Sequence, residues 1–237
     1  MLHAMLRAAA RDFYAQEVLR DSPVAYWRLG EASGTTAVDE AGSNDGTYSG
    51  VTLGAAGLLA GDTNTAAEFN NSTDYIEVAD HADFEVSTFT FECWVKHDAP
   101  TTGDLFIIAD KTGTASANNS FGCWYDNRSS QGSPRRIRFQ GPDGNANWEG
   151  TAVSDAVATG VHLVFVGDGT SGEIYADGVL VASGTIGANG TNSLPLRIGQ
   201  IANGTAYGWD GTLDEAAFYD TALSPARIEA HYNAGTT

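Results

Sequence analysis

Aromatic, guanidinium and amide side chains alternate with apolar ones along three segments, a pattern that builds a flat polar-aromatic surface if the segments are β-strands. In residues 121–125, a period of two puts Trp124 opposite Phe121 and Cys123. In residues 89–96, Trp94 lies opposite Phe91 and Cys93, and in residues 136–140, Arg136, Arg138 and Gln140 lie opposite Ile137 and Phe139. With the phenylalanines turned to a core, Trp94, Trp124, Arg136, Arg138 and Gln140 all face outward, together with His162. Flat rings stack on sugar rings, and Arg and Gln offer paired donors to hydroxyls or carboxylates, so the expected chemistry is carbohydrate binding. Trp148, Tyr207 and Trp209, in polar Gly-rich stretches, are candidates for the rim. A second reading stays open, in which Trp94 and Trp124 pack under a covering loop, because burial is the commoner fate of tryptophan.

Other reactive side chains form no recognisable constellation. His3, His81, His97, His162 and His231 are scattered without metal-ligand spacing, and nothing marks a nucleophile elbow. Cys93 and Cys123 make no metal motif. Both fall on expected core faces, where two buried thiols or a disulfide between neighbouring strands are both open.

The elements that must carry these residues are short strands. Apolar runs at 24–29, 65–69, 75–78, 89–96, 105–109, 121–125, 137–139, 161–166, 194–199 and 212–219 are separated by Gly, Asn, Asp, Ser and Thr. Residues 173–181 form a hairpin whose Asp177-Gly178 pair supplies the positive φ angles of a tight turn. Ser224-Pro225 opens a short helix ending near Asn233. Ahead of the strands, Leu2, Met5, Leu6, Ala9 and Phe13 recur at helical spacing, and Asp21-Ser22-Pro23 stops that helix. The expected organisation is an N-terminal helical arm over residues 1–22 and one all-β domain over 23–237, a two-sheet antiparallel jelly-roll sandwich with a short C-terminal helix. The arm either packs on the sandwich or docks onto a larger assembly.

Composition narrows the partners. The 237 residues include 28 glycines, and 30 acidic against 12 basic residues give a net charge of −18. Such a surface argues against nucleic acid and anionic membrane as partners. The acidic excess reads as solubility, or as carboxylates that hold Ca²⁺, a hard ion that takes oxygen ligands. No apolar stretch is long enough to span a bilayer. Residues 1–11 lack the uninterrupted apolar run of a secretory signal, so export by the standard route is not expected.

Several segments, taken in order, resemble the laminin-G-like, concanavalin A-like jelly-roll domains. They are Pro23-Val24-Ala25-Tyr26-Trp27-Arg28-Leu29-Gly30-Glu31, Val38-Asp39-Glu40-Ala41-Gly42-Ser43-Asn44-Asp45-Gly46, Asp74-Tyr75-Ile76-Glu77-Val78, residues 89–96, Ile174-Tyr175-Ala176-Asp177-Gly178, and Gly211-Thr212-Leu213-Asp214-Glu215-Ala216-Ala217-Phe218-Tyr219. The resemblance covers nearly all of residues 21–235. It implies a structural Ca²⁺ tying the early loop to the last strand, with Asp39, Asn44 and Asp214 as ligands; the alternative is a turn in which Asp39 and Asn44 bond their own backbone. Glucanases of this superfold place catalytic carboxylates at Glu-x-Asp-x-x-Glu spacing. No such run occurs here: Glu92 stands alone on its strand, and Asp214 and Glu215, being adjacent, are expected on opposite faces. The opening segment looks like domains of bacteriophage structural proteins and bacterial surface proteins.

The resulting expectation is a non-catalytic structural or binding protein of a phage virion (capsid decoration, head fibre or tail). It would contact virion proteins through its arm, assemble in the host cytoplasm, form homo-oligomers and bind host glycans. The alternatives are a carbohydrate-binding module of a bacterial surface or secreted protein and, less favoured, a glycoside hydrolase or lyase.

Overall fold

A computed structural model describes residues 13–70, 73–98, 104–112, 120–128 and 135–237. In chain order the elements are α1 (Phe13–Arg20), β1 (Ala25–Trp27), β2 (Thr36–Ala37), β3 (Gly46–Ser49), β4 (Thr52–Ala56), β5 (Thr65–Asn70), β6 (Tyr75–Val78), β7 (Thr88–His97) and β8 (Leu105–Asp110). There follow β9 (Gly122–Asp126), β10 (Arg136–Gly141), β11 (Gly144–Glu149), α2 (Thr151–Thr159), β12 (Val161–Asp168), β13 (Ser171–Ala176), β14 (Val179–Thr185), β15 (Leu196–Ile198), β16 (Asp210–Tyr219) and α3 (Pro225–Gly235).

Two eight-stranded antiparallel sheets form the expected sandwich. The first runs β14-β13-β12-β7-β16-β5-β4, with β1 also paired to β16; the second runs β11-β10-β9-β8-β15-β6-β3-β2. Between them lies the core. Phe89, Phe91, Cys93 and Val95 face it from β7, as alternation requires, and Phe121, Cys123 and Tyr125 face it from the other sheet. Phe89 stacks on Phe218 at 5.4 Å. Cys93 and Cys123 are buried free thiols on opposite sheets.

The first sheet has a third layer. On α1, Tyr14, Ala15 and Val18 share one face and bury it against Tyr26, Trp94 and Tyr219 on the sheet's outer surface. Ser22, at φ 55°, and Pro23 end the helix. Ile228 and His231 of α3 are buried in the same layer. The Ser224 carbonyl accepts the first bonds of α3 from Arg227 and Ile228, but its hydroxyl makes no capping bond. The described part of the arm therefore packs on its own domain; Leu2, Met5, Leu6 and Ala9 lie outside the described residues.

One core residue works against stability. His97, at the end of β7, is 1% exposed and ringed edge-on by Phe106, Tyr125 and Trp209. Neither of its nitrogens has a partner among the described residues, and burial pulls its pKa down to about 4. An unfolded histidine titrates near 6.5, so this site disfavours the folded state progressively as pH falls from about 6.5 to about 4. His97→Leu is expected to raise stability by about 1–2 kcal/mol, with the gain larger at pH 4.5 than at pH 7.5 in thermal unfolding. A loss of stability at both pH values would contradict this.

Candidate functional site

Among the described residues no helix covers the outer face of the second sheet, and its central strands bring most of the expected binding residues together. Cross-strand pairing sets Asn147, Arg138, Trp124 and Ile107 in one row across β11, β10, β9 and β8. The neighbouring rows are Glu149, Arg136, Asp126 and Leu105 on one side, and Asn145, Gln140, Gly122 and Asp110 on the other. The hairpin joining β10 to β11 turns at Pro142-Asp143, with Gly141 paired to Gly144.

The geometry of Trp124 depends on Gly122. A Cβ at Gly122 would stand 2.5 Å from Trp124 Nε1 and 2.9 Å from its Cζ2, so only glycine lets the indole lie along the strand. The ring packs on Leu105, Ile107 and Ile201, and Nε1 donates to Asp110 Oδ1 at 3.2 Å. Burial pushes the Asp110 pKa up to about 6, against the opposing bonds from Ala202 N–H, Thr112 and Trp124. Arg138 reaches over the indole, its Cζ 5.5 Å from the ring centroid, and donates from Nε to Asn145 Oδ1 at 2.8 Å. Its terminal nitrogens, and the amide of Gln140, have no hydrogen-bond partner among the described residues. Arg138 thus occupies the place of a stacking ring, and a sugar would displace it or pack on the guanidinium itself.

Beside this row, Asp126 is shared by two arginines: Arg128 binds it through Nε at 2.9 Å and Nη2 at 3.0 Å, and Arg136 through Nη2 at 2.9 Å. Burial alone would raise the Asp126 pKa, but these bonds outweigh it and hold it at about 2. Tyr207 projects at the margin, 44% exposed. Its backbone is left-handed (φ 62°) and its carbonyl accepts Ile107 N–H. The other two rim candidates do not reach the face: Trp209 is fully buried, and half-buried Trp148 packs against the inter-sheet core.

Trp94 requires a correction. It sits on the outer surface of the first sheet, facing away from Trp124, beneath α1 and α3. His162 stacks on it at 5.0 Å and Tyr232 at 6.0 Å, Tyr14 meets it edge-on at 6.1 Å, and it is 5% exposed. Alternation separates core from outside, but "outside" has opposite directions on the two sheets of a sandwich. His162 leaves the expected surface for the same reason.

Under those helices lies a buried ionic cluster. Glu92 accepts from Tyr219 Oη, from His162 Nε2 at 2.9 Å and from His231 Nδ1 at 3.0 Å. His231 Nε2 meets Asp21 Oδ2 at 2.9 Å, just beyond α1. Burial pushes Glu92 up, but the His231 charge and the bonds from both histidines outweigh it and hold the carboxyl well below its usual range. Burial would lower His231; the Glu92 charge and the bonds to Glu92 and Asp21 raise it instead.

The three residues expected to hold Ca²⁺ do not form one shell. Asp39 Oδ1 accepts the amides of Tyr26 and Ala41, and Oδ2 accepts the amide of Asn44, all at 2.9–3.0 Å. Asn44 donates to Val24 O and Asp83 Oδ2. These are the bonds of a self-supporting turn. Asp214 is buried under the first sheet's covering layer, with Oδ2 on Leu58 N–H and Oδ1 unpartnered. Burial, with Glu215 alongside, pushes its pKa well up. Among the described residues no group of three or more His, Cys, Asp or Glu converges to hold a metal. Nor do Asp214 and Glu215 point to opposite faces. The register of β16 breaks between Asp214 and Ala217, Glu215 adopts φ 53°, and its carboxylate meets Tyr26 Oη, Arg28 and Asn64 on the helix-covered side.

Comparison with known proteins agrees with this architecture. No curated protein sequence matches the chain. Among solved structures, domain 4 of AbnA, a GH43 extracellular arabinanase from Geobacillus stearothermophilus in complex with arabinotriose, superposes with TM-score 0.65 at 18% identity, over 89% of this chain and 98% of that one. A Trypanosoma rangeli sialidase gives TM-score 0.63 at 15% identity over 89% of this chain, which spans 32% of the sialidase. The binding domain of botulinum neurotoxin serotype D gives 0.60 at 13% identity over 90% of this chain, which spans 52% of that structure. At such identities the likeness is one of fold. The model of the concanavalin A-like lectin/glucanases superfamily, of laminin-G type, matches residues 70–229. With two-thirds of its length under that match and the sandwich complete, the chain belongs to the concanavalin A-like lectin/glucanase superfamily.

Proposed function

We propose that this protein is a non-catalytic carbohydrate-binding module whose ligand lies on the outer face of the second sheet. One observation carries the reading: α1 and α3 cover the outer face of the first sheet, while the second sheet's outer face holds Trp124, 9% exposed beneath the half-buried Arg138, whose terminal nitrogens, like the amide of Gln140, have no hydrogen-bond partner among the described residues. The arabinotriose bound to the AbnA domain supports a sugar ligand for this fold. Of the carboxylates on this face, Asp110 is engaged by Thr112 and Trp124 and Asp126 by Arg128 and Arg136, which supports binding without catalysis. The test is a glycan array with the intact chain, followed by calorimetry on the best ligand and an assay for released reducing ends. Retention without cleavage supports the proposal; cleavage, or silence across the array, overturns it.

A second reading, a phage virion component that docks through residues 1–22, is favoured by Phe13 (51% exposed) and Leu19 (42% exposed) on the outward side of α1. Sedimentation of the full chain against a deletion of residues 1–12 tests it. A stable assembly that dissolves on deletion supports that reading, and monomers in both cases contradict it.

A further inference from the structure

The second sheet's outer face sets three guanidinium groups among the carboxylates of Asp110, Asp126 and Glu149. Arg128, Arg136 and Arg138 are three of the twelve basic residues in a chain of net charge −18, whereas Arg135 turns to Ser154 of α2. Arg128 and Arg136 divide the single carboxylate of Asp126 between them, with Glu149 3.6 Å from Arg136 at the edge. Arg138 has no carboxylate partner among the described residues; its one hydrogen bond runs to the neutral Asn145. Segments 99–103, 113–119 and 129–134, which adjoin β8, β9 and β10 in sequence, contain no acidic residue to answer it.

On the reading of this face as a glycan site, we infer that its ligand is an acidic glycan, with a sugar carboxylate paired to Arg138 beside Trp124. The guanidinium is a planar fork that takes a carboxylate through two parallel N–H···O bonds. Its Nε is held by Asn145, so the outer Nη edge is already oriented. Burial, and then the charge of Arg136, press the Arg138 pKa down, with Asp126 opposing and Arg128 adding to the shift. A ligand anion would relieve that repulsion, whereas a neutral sugar would add burial without compensation. The sugar ring packs beside the guanidinium, which Trp124 backs from beneath.

The experiment compares matched pairs of ligands that differ only in charge: oligogalacturonate and oligosialate, each against its carboxyl-reduced form, by calorimetry with the intact protein. The acidic member of at least one pair is expected to bind about tenfold or more tighter at about 50 mM NaCl, with the gap shrinking at about 500 mM. Arg138→Gln is expected to erase the gap, read as the ratio of acidic to reduced-form affinity within that variant falling below about twofold. Arg138→Lys, which keeps charge but not the fork, is expected to retain only part of it. Equal affinity for acidic and reduced forms in both pairs overturns the inference and leaves the module reading standing. Absence of binding to all four ligands overturns the inference, and the glycan array then decides the module reading separately.

Discussion

Glu92→Ala is expected to lower folding stability by about 3–5 kcal/mol, because it leaves two histidines and a tyrosine hydroxyl buried without their shared acceptor. For a chain of this size that corresponds to a fall in melting temperature of roughly 6–20 °C. The loss is large because Glu92 joins four elements: its own strand β7, β12 through His162, β16 through Tyr219, and α3 through His231, which in turn reaches Asp21 beside α1. The pH dependence has two signs. His231 is raised in the folded state, so its contribution is complete below the unfolded value near 6.5 and fades as pH rises through the folded value. Glu92 is lowered, so its contribution is complete above the unfolded value near 4.3 and fades as pH falls toward the folded one. The difference between wild type and Glu92→Ala should therefore be greatest between about pH 4.5 and 6.5. Differential scanning calorimetry at pH 3, 5.5 and 9 measures it; a pH-independent difference below about 1 kcal/mol would show that the cluster does not hold the helical layer.

Trp124→Ala is expected to weaken glycan binding by about 30-fold or more, the equivalent of about 2 kcal/mol for an aromatic anchor at the centre of a binding face. Trp124→Phe keeps a flat ring and should lose less than about fivefold. Folding should survive both changes, since the indole packs outside the sandwich core, on Leu105, Ile107 and Ile201. Unaltered affinity in a folded Trp124→Ala protein, read by calorimetry and circular dichroism, would remove Trp124 from the site.

The sequence made the core legible and left the sheets ambiguous. The run Phe89-Thr90-Phe91-Glu92-Cys93 identified which side chains face inward, because alternation and burial are one signal. It did not say that β7 and β9 belong to different sheets, so Trp94 and Trp124 looked like neighbours. That information lies in pairing between residues distant in the chain, such as Asp214 with Trp94 and Arg138 with Trp124. The helical periodicity of residues 13–20 was readable, but its partner surface was not. Helix α2 escaped notice because it is short and bounded by Gly150 and Gly160 (φ 116° and 103°), which read as loop. Asn145 and Asn147 of the candidate site were also missed, although Pro142-Asp143-Gly144 followed by polar alternation carried a hairpin signal. The bulge that turns Asp214 and Glu215 to one side left no mark in composition or spacing.

The central claim is that the ligand lies on the outer face of the second sheet, and the most direct measurement is a nuclear magnetic resonance titration with the best glycan from the array. Shifts confined to β8, β9, β10 and β11, with a large displacement of the Trp124 indole N–H, are the expected result. Shifts centred on the groove between α1 and α3, lined by Phe13, Arg227 and Ala234, or on the Asp39 turn, with β9 and β10 unmoved, would contradict it.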